Sequence, residues 1–141
     1  MKKIIYKQNG FVFVVSKAPW NTDSIDGVAK KDVPSDVEYS IIDESLVPND
    51  RTFRDAWEYS KDRITINSDK AKAIWKDKWR EARKPLLASL DIEFMKAVES
   101  ADTEKQAEIA SKKQALRDVT QTEIVGNTPE EIKAVWPSVL N

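Results

Sequence analysis

The chain has 141 residues, 40% of them hydrophobic, and a formal net charge of -1, a length that holds one domain with a real core and room for a small satellite unit. It contains no cysteine and no histidine, which excludes disulfides, thiolate chemistry, imidazole base catalysis and the usual zinc sites. The near-neutral total hides a polarised chain: Lys70 to Lys84 carries seven basic residues against Asp77 and Glu81, whereas Ser89 to Asn141 carries ten acidic against six basic.

At the N-terminus, the apolar run Ile4-Ile5-Tyr6 is closed by Lys7, far too short for a signal peptide or a membrane span. A soluble protein made in the cytoplasm is expected. Lys3 to Lys7, then Gln8-Asn9-Gly10, then Phe11 to Ser16 reads as a β-hairpin, because Asn-Gly supplies the positive φ angles of a tight primed turn. Phe11, Phe13 and Val15 alternate with Val12 and Val14, so both faces of the second strand are apolar and coverage on both sides is expected. Thr22 or Asp23 is placed to cap a short helix over Ile25, Val28 and Ala29, which Gly27 weakens by roughly 1 kcal/mol relative to alanine. Val37 to Asp43, between Pro34 and Pro48, reads as a third strand returning to the hairpin. Leu46 to Arg51 is the expected linker. A second hairpin is expected from Phe53 to Tyr59 and Arg63 to Asn67, turning at Ser60-Lys61-Asp62, with the β-branched Ile64-Thr65-Ile66 suited to a pleated strand.

From Ser68 the pattern changes to a helical period. Apolar residues at Ile74, Trp75, Trp79, Ala82, Leu86, Leu90, Phe94 and Val98 fall at steps of three or four, which stacks them along one stripe, and Ser68 or Asn67 can cap the first free amides. From Asp69 to about Ser100 such a helix is roughly 48 Å long at 1.5 Å per residue. Pro85 lacks an amide hydrogen and is expected to bend the axis rather than break it, since the stripe keeps its phase through the proline. Thr103 and Gln106 have the spacing of a capping box for a second helix, whose apolar content is Ala107, Ile109, Ala110, Ala115 and Leu116. That thin, alanine-rich face predicts close packing in an antiparallel hairpin. Asn127-Thr128-Pro129-Glu130-Glu131 signals a third, short helix ending before Pro137, with Trp136, Val139 and Leu140 docking the C-terminus. The fold class is therefore α+β: a β-rich subdomain over residues 1–67 with a small antiparallel sheet, then a long-helix/short-helix hairpin and a short closing helix over 68–141.

Several side chains are candidates for function. Trp75 and Trp79 among Lys70, Lys72, Lys76, Lys78, Arg80, Arg83 and Lys84 have the makings of a nucleic-acid surface, with Lys76, Arg80, Arg83 and Lys84 as its core, since cations neutralise phosphate and indoles stack on bases. The same tryptophans lie on the apolar stripe, which favours packing with the lysines as the solvated face. Asp77 with Arg80 and Glu81 with Lys84 stand at helical spacing and dilute the positive field. Asp91 with Glu93, and Glu99 with Asp102, are carboxylate pairs, but residues two apart do not face each other and a helix end uses acids for capping, so no catalytic, metal or cofactor site is expected. Arg117-Asp118 suits a helix C-terminus. Trp20, Trp57, Trp75, Trp79 and Trp136 are the candidate partner anchors, tryptophan being enriched at binding hot spots.

Lys30-Lys31-Asp32-Val33-Pro34, Tyr39 to Asp43 and Pro48-Asn49-Asp50-Arg51-Thr52-Phe53-Arg54-Asp55-Ala56-Trp57 together resemble a family of small proteins encoded among the tail genes of tailed bacteriophages and prophages. Arg83-Lys84-Pro85-Leu86-Leu87, Leu90 to Met95, Lys113 to Val119 and Thr128 to Pro137 are similar to that family's helical hairpin and closing segment, in the same order. The resemblance implies a virion component or a helper of tail or tail-fibre assembly, with other phage tail or tail-fibre proteins as partners and a homo-oligomer as one arrangement. It implies a location in the host cytoplasm during assembly and on the virion tail, and it carries no catalytic residue set.

Overall fold

The computed structural model describes residues 1–141 and is α+β. The chain divides into two compact units, Met1–Ala71 and Lys72–Asn141. The boundary falls about one turn into the long helix.

In the first unit, β1 (Lys2–Gln8) and β2 (Phe11–Ser16) form the expected antiparallel hairpin, with Ile5 opposite Val14 and Gln8 opposite Phe11. Asn9 and Gly10 have φ of 51° and 83°, the pair of positive angles that a primed two-residue turn demands. β3 (Tyr39–Asp43) pairs with the other side of β1, giving the order β2-β1-β3. This order decides which strand is covered on both faces. The central strand β1 buries the consecutive residues Ile4, Ile5 and Tyr6, whereas β2 is an edge strand with Phe11 and Phe13 exposed. The two-sided coverage expected of β2 therefore belongs to β1.

Alternation sends Ile4 and Tyr6 to one face and Ile5 to the other. Ile4 and Tyr6 pack with Val28, Ala29 and Val33, from α1 (Ile25–Asp32) and its C-terminal cap. Ile5 packs with Val12, Ile42, Trp57 and Ile64, the last two from a second hairpin of β4 (Trp57–Ser60) and β5 (Arg63–Ile66). The three-stranded sheet is thus held between a helix and a hairpin, and Ser40 Oγ and Tyr59 Oη share a hydrogen bond of 2.8 Å between the two sheets.

Three local expectations are corrected here. The α1 cap is Ser24, whose Oγ accepts from the Gly27 amide at 3.0 Å, while Asp23 accepts from Lys31 at 2.7 Å instead. Phe53 does not begin a strand: Arg54–Ala56 is a 3-10 turn, and the ladder starts at Trp57. Because Ser60 pairs with Arg63, the turn of that hairpin is the two residues Lys61 and Asp62. A 3-10 turn, Glu44–Leu46, leads into the expected linker at Leu46, and the linker's Val47 packs against the cluster around Ile5.

The long helix α2 (Ser68–Glu99) runs unbroken through Pro85. Asn67 serves as its cap, with Oδ1 accepting from the Lys70 amide at 3.0 Å. In the second unit, α3 (Thr103–Arg117) returns antiparallel to α2. Lys113 pairs with Asp91 and lies 5.5 Å from the Phe94 ring centroid, while Gln106 donates to the Ala97 carbonyl at 3.3 Å. Two details differ from the expected hairpin. Asp102, not Thr103, caps α3, its carboxylate accepting from the Lys105 amide at 3.0 Å, and Gln106 spends its amide on Ala97 rather than on the cap.

The buried face of α3 is also not alanine-rich. Ile109 and Leu116 are buried while Ala107, Ala110 and Ala115 face solvent. The small buried residue lies on α2, where Ala97 is enclosed and Val98 is exposed, so the stripe rotates off Val98 in the last turn. After a 3-10 turn at Asp118–Gln121, α4 (Pro129–Ala134) begins as expected, with Thr128 Oγ1 accepting from the Glu131 amide at 3.2 Å and Glu131 accepting from the Asn127 amide at 2.9 Å. Leu140 is buried in a terminal 3-10 turn, while Val139 stays partly exposed.

Candidate protein-binding surface

The five tryptophans separate by environment. Trp57 and Trp79 are core residues, 2% and 0% exposed, and the indole N–H of each finds no acceptor in the chain. Arg54 lies 4.6 Å and Arg51 5.7 Å from the Trp57 ring, so that indole is sealed by two guanidinium groups. Trp75 is half-buried and donates its indole N–H to the Val135 carbonyl at 2.8 Å. Its ring meets Trp136 edge-on at 5.5 Å, which is how the C-terminal segment docks. Trp136 keeps 38% of its surface exposed, and only Trp20, 84% exposed in the turn closed by the Asn21 amide on the Ala18 carbonyl, has the open indole expected of an anchor.

Four of the seven basic candidates on α2 are occupied, and Lys72 and Lys78 make no ion pair. Arg80 pairs with Asp77 one turn back, Lys84 pairs with Glu81 at 2.6 Å, and Lys70 lies 3.8 Å from Glu58. Arg83 caps the C-terminal end of α3, its Nη1 donating to the carbonyls of Leu116 at 3.3 Å and Arg117 at 2.9 Å. Lys76 is half-buried and makes no ion pair. Asp91 is held by Lys113, Asp102 by the α3 amide, and Glu93 and Glu99 stand exposed. The chain has no cluster of three or more acidic side chains placed to hold a metal ion. At the end of α3, Asp118 accepts from the Gln114 side-chain amide at 3.0 Å.

Electrostatic perturbation follows the surface pairs. Asp23 is held below the ordinary carboxylate range by the hydrogen bond and charge of Lys31, and Glu108 by its hydrogen bond to Lys112 and the charges of Lys105 and Lys112. Asp43 is lowered first by the Ser45 amide, then by the Ser45 hydroxyl. All three carboxylates lie at the surface and have ordinary structural explanations.

The surface that sequence reasoning missed is on the distal half of α2. Ile92, Met95 and Val98 are 60%, 58% and 46% exposed, forming an apolar row on the outside of the helix. Their steps of three carry the signal, but it is obscured by the parallel row Leu86, Leu90 and Phe94, which is half-buried. Beside the row, Asp91, Lys96 and Glu99 complete a shallow depression of about 410 Å³ with Ile92 and Met95. A second groove of about 210 Å³, between the two helices and the C-terminal turn, is lined by Leu86, Leu90, Leu116 and Val139 together with Ser89 and Lys112. No helix of the chain is long and apolar enough to cross a membrane. No known protein family, characterised protein or solved structure matches the chain.

Proposed function

We propose that the chain is a non-enzymatic structural or assembly protein of a tailed bacteriophage, associated with the tail or tail fibre and acting through protein–protein contacts. One structural observation supports this reading together with the family resemblance: a row of three large apolar side chains, Ile92, Met95 and Val98, on the outside of a highly charged helix. Single exposed apolar residues are ordinary, whereas a row along successive turns is the pattern of a helix that completes itself against another protein. Covering such side chains is favourable by about 25 cal/mol per Å² of apolar surface removed from water. The partners are other tail or tail-fibre proteins, met in the host cytoplasm during assembly or on the virion tail. Arg80, Arg83 and Lys84 already satisfy Asp77, the α3 carbonyls and Glu81, so a nucleic-acid role for the basic half of α2 ranks second.

Mass spectrometry of purified phage particles, paired with pull-downs from infected cells, tests the proposal. The chain is expected in particles or in tail-assembly intermediates, and changing Ile92, Met95 and Val98 to glutamine is expected to release its partner while leaving the fold intact. Absence from both particles and intermediates would overturn the reading.

A further inference from the structure

The two outer strands of the three-stranded sheet differ in what they offer. Across a two-residue turn, Gln8 and Phe11 form the closing hydrogen-bonded pair, so alternation along β2 points the amide and carbonyl groups of Val12, Val14 and Ser16 away from β1. The Val12 carbonyl accepts from Arg54 Nη1 at 2.8 Å, and the amide and carbonyl of Val14 have no partner in the chain. On the far side, the Glu44 amide bonds the Met1 carbonyl at 2.8 Å, which fixes Ser40 and Ile42 facing β1 and Tyr39, Ile41 and Asp43 facing outward.

The charges on these two edges are not alike. Antiparallel pairing of β3 with its own copy about Ile41 would set Glu38 against the second copy's Glu44, a like-charge contact of the kind that keeps natural edges apart. β2 carries no charged residue between Gly10 and Lys17, and its outward groups at Val12, Val14 and Ser16 read the same in both directions about Val14. We propose that β2 pairs antiparallel with the β2 of a second copy of this chain, centred on Val14, so that the two sheets become one. The two Val14 residues exchange amide–carbonyl bonds. Val12 meets the second copy's Ser16, its carbonyl using the lone pair that Arg54 leaves open. Phe13 then lies opposite the second copy's Val15, and the exposed Phe11 and Phe13 rings flank the joined strands. This edge pairing stands apart from the phage-assembly reading and holds or fails without it.

Sedimentation velocity of the purified full chain over a wide concentration range is the test, with a monomer–dimer equilibrium as the expected result. Val14→Pro removes the outward amide and no bond to β1, an edge position where proline is tolerated, and is expected to give a folded monomer. Should that variant lose its fold, Phe13→Lys, which places a charge in the new seam from an already exposed position, is expected to give a folded monomer. Register is read separately in the cysteine-free chain. Phe13→Cys mixed with Val15→Cys is expected to oxidise to a disulfide-linked heterodimer, because these positions form a non-hydrogen-bonded pair about 4.5 Å apart at Cα. A chain that remains monomeric throughout overturns the inference, as does a dimer indifferent to Phe13→Lys that forms no mixed disulfide.

Discussion

The amide of Asp102 donates to the carbonyl of Ala97 at 2.9 Å, and with the Ala101 amide on the Val98 carbonyl at 3.1 Å it closes α2 in the 6→1 and 5→2 pattern of a Schellman turn. The residue at the left-handed position is alanine, with φ of 54°, where glycine is the usual occupant. Asp102 is also the cap of α3, so one residue ends one helix and starts the next. Ala101→Gly is therefore expected to stabilise the chain by about 1 kcal/mol, and Ala101→Val to destabilise it by at least as much. Urea unfolding monitored by circular dichroism measures both. A glycine variant less stable than the parent would show that the corner is not strained.

Trp79 is fully buried with an indole N–H that no acceptor meets. An unpaired buried donor costs about 1–3 kcal/mol, so the indole contributes through its volume and against its polar atom. Trp79→Phe, which removes the donor and keeps most of the ring, is expected to change stability by less than about 1.5 kcal/mol, whereas Trp79→Ala should cost about 3–5 kcal/mol. Equal losses in the two variants, measured by thermal or urea unfolding, would mean that the N–H does matter.

Elements specified by short-range chemistry were legible in the sequence. Asn9-Gly10 and Thr128-Pro129-Glu130-Glu131 dictate backbone angles and caps within a few residues, and both are observed where expected. Burial was less legible because it is decided by distant neighbours. Trp79 is buried as its place on the apolar stripe predicts. Trp20 and Trp57 look alike in sequence, yet Trp57 packs with Ile5 and Val12 while Trp20 stands in solvent. Alanine misled for a related reason: Ala107, Ala110 and Ala115 count as apolar but are small enough to sit on the outside of α3 at little cost, and the close approach falls to Ala97 instead. The α2–α3 corner gave no local signal, since no glycine marks it. The row Ile92, Met95 and Val98 was hidden in the same way, beside a half-buried row of similar spacing.

Asp43 caps the 3-10 turn after β3, its Oδ1 accepting from the Ser45 amide at 3.1 Å and the Ser45 hydroxyl at 2.9 Å, with Lys2 3.7 Å from Oδ2. These donors lower its pKa below the ordinary value of 3.8, the Ser45 amide first. A depressed carboxylate stabilises the fold fully above its unfolded pKa and loses that contribution as pH falls through the folded one. The stability difference between the parent and Asp43→Asn is thus expected to be constant near neutral pH and to shrink on acidification below the ordinary carboxylate range. Urea midpoints across that range measure it, and a carboxyl NMR titration of Asp43 at its ordinary value would contradict the capping role.

Arg83 separates the structural from the nucleic-acid account of the basic half of α2. Its guanidinium donates to the Leu116 and Arg117 carbonyls, which as last-turn groups of α3 have no partner within their own helix. A charged donor on carbonyls at the negative end of a helix contributes about 1–2 kcal/mol. Arg83→Met, which keeps much of the stem, is expected to lower stability by about that amount, while retention on heparin stays as weak as in the parent. Reversing Lys76, Arg80, Arg83 and Lys84 together is expected to leave heparin behaviour nearly unchanged apart from the loss of stability, since Arg80 and Lys84 are already offset by Asp77 and Glu81. Strong, steeply salt-dependent retention that disappears on this reversal would assign the surface to nucleic acid. An Arg83→Met variant with unchanged unfolding would show that the guanidinium does not stabilise the end of α3.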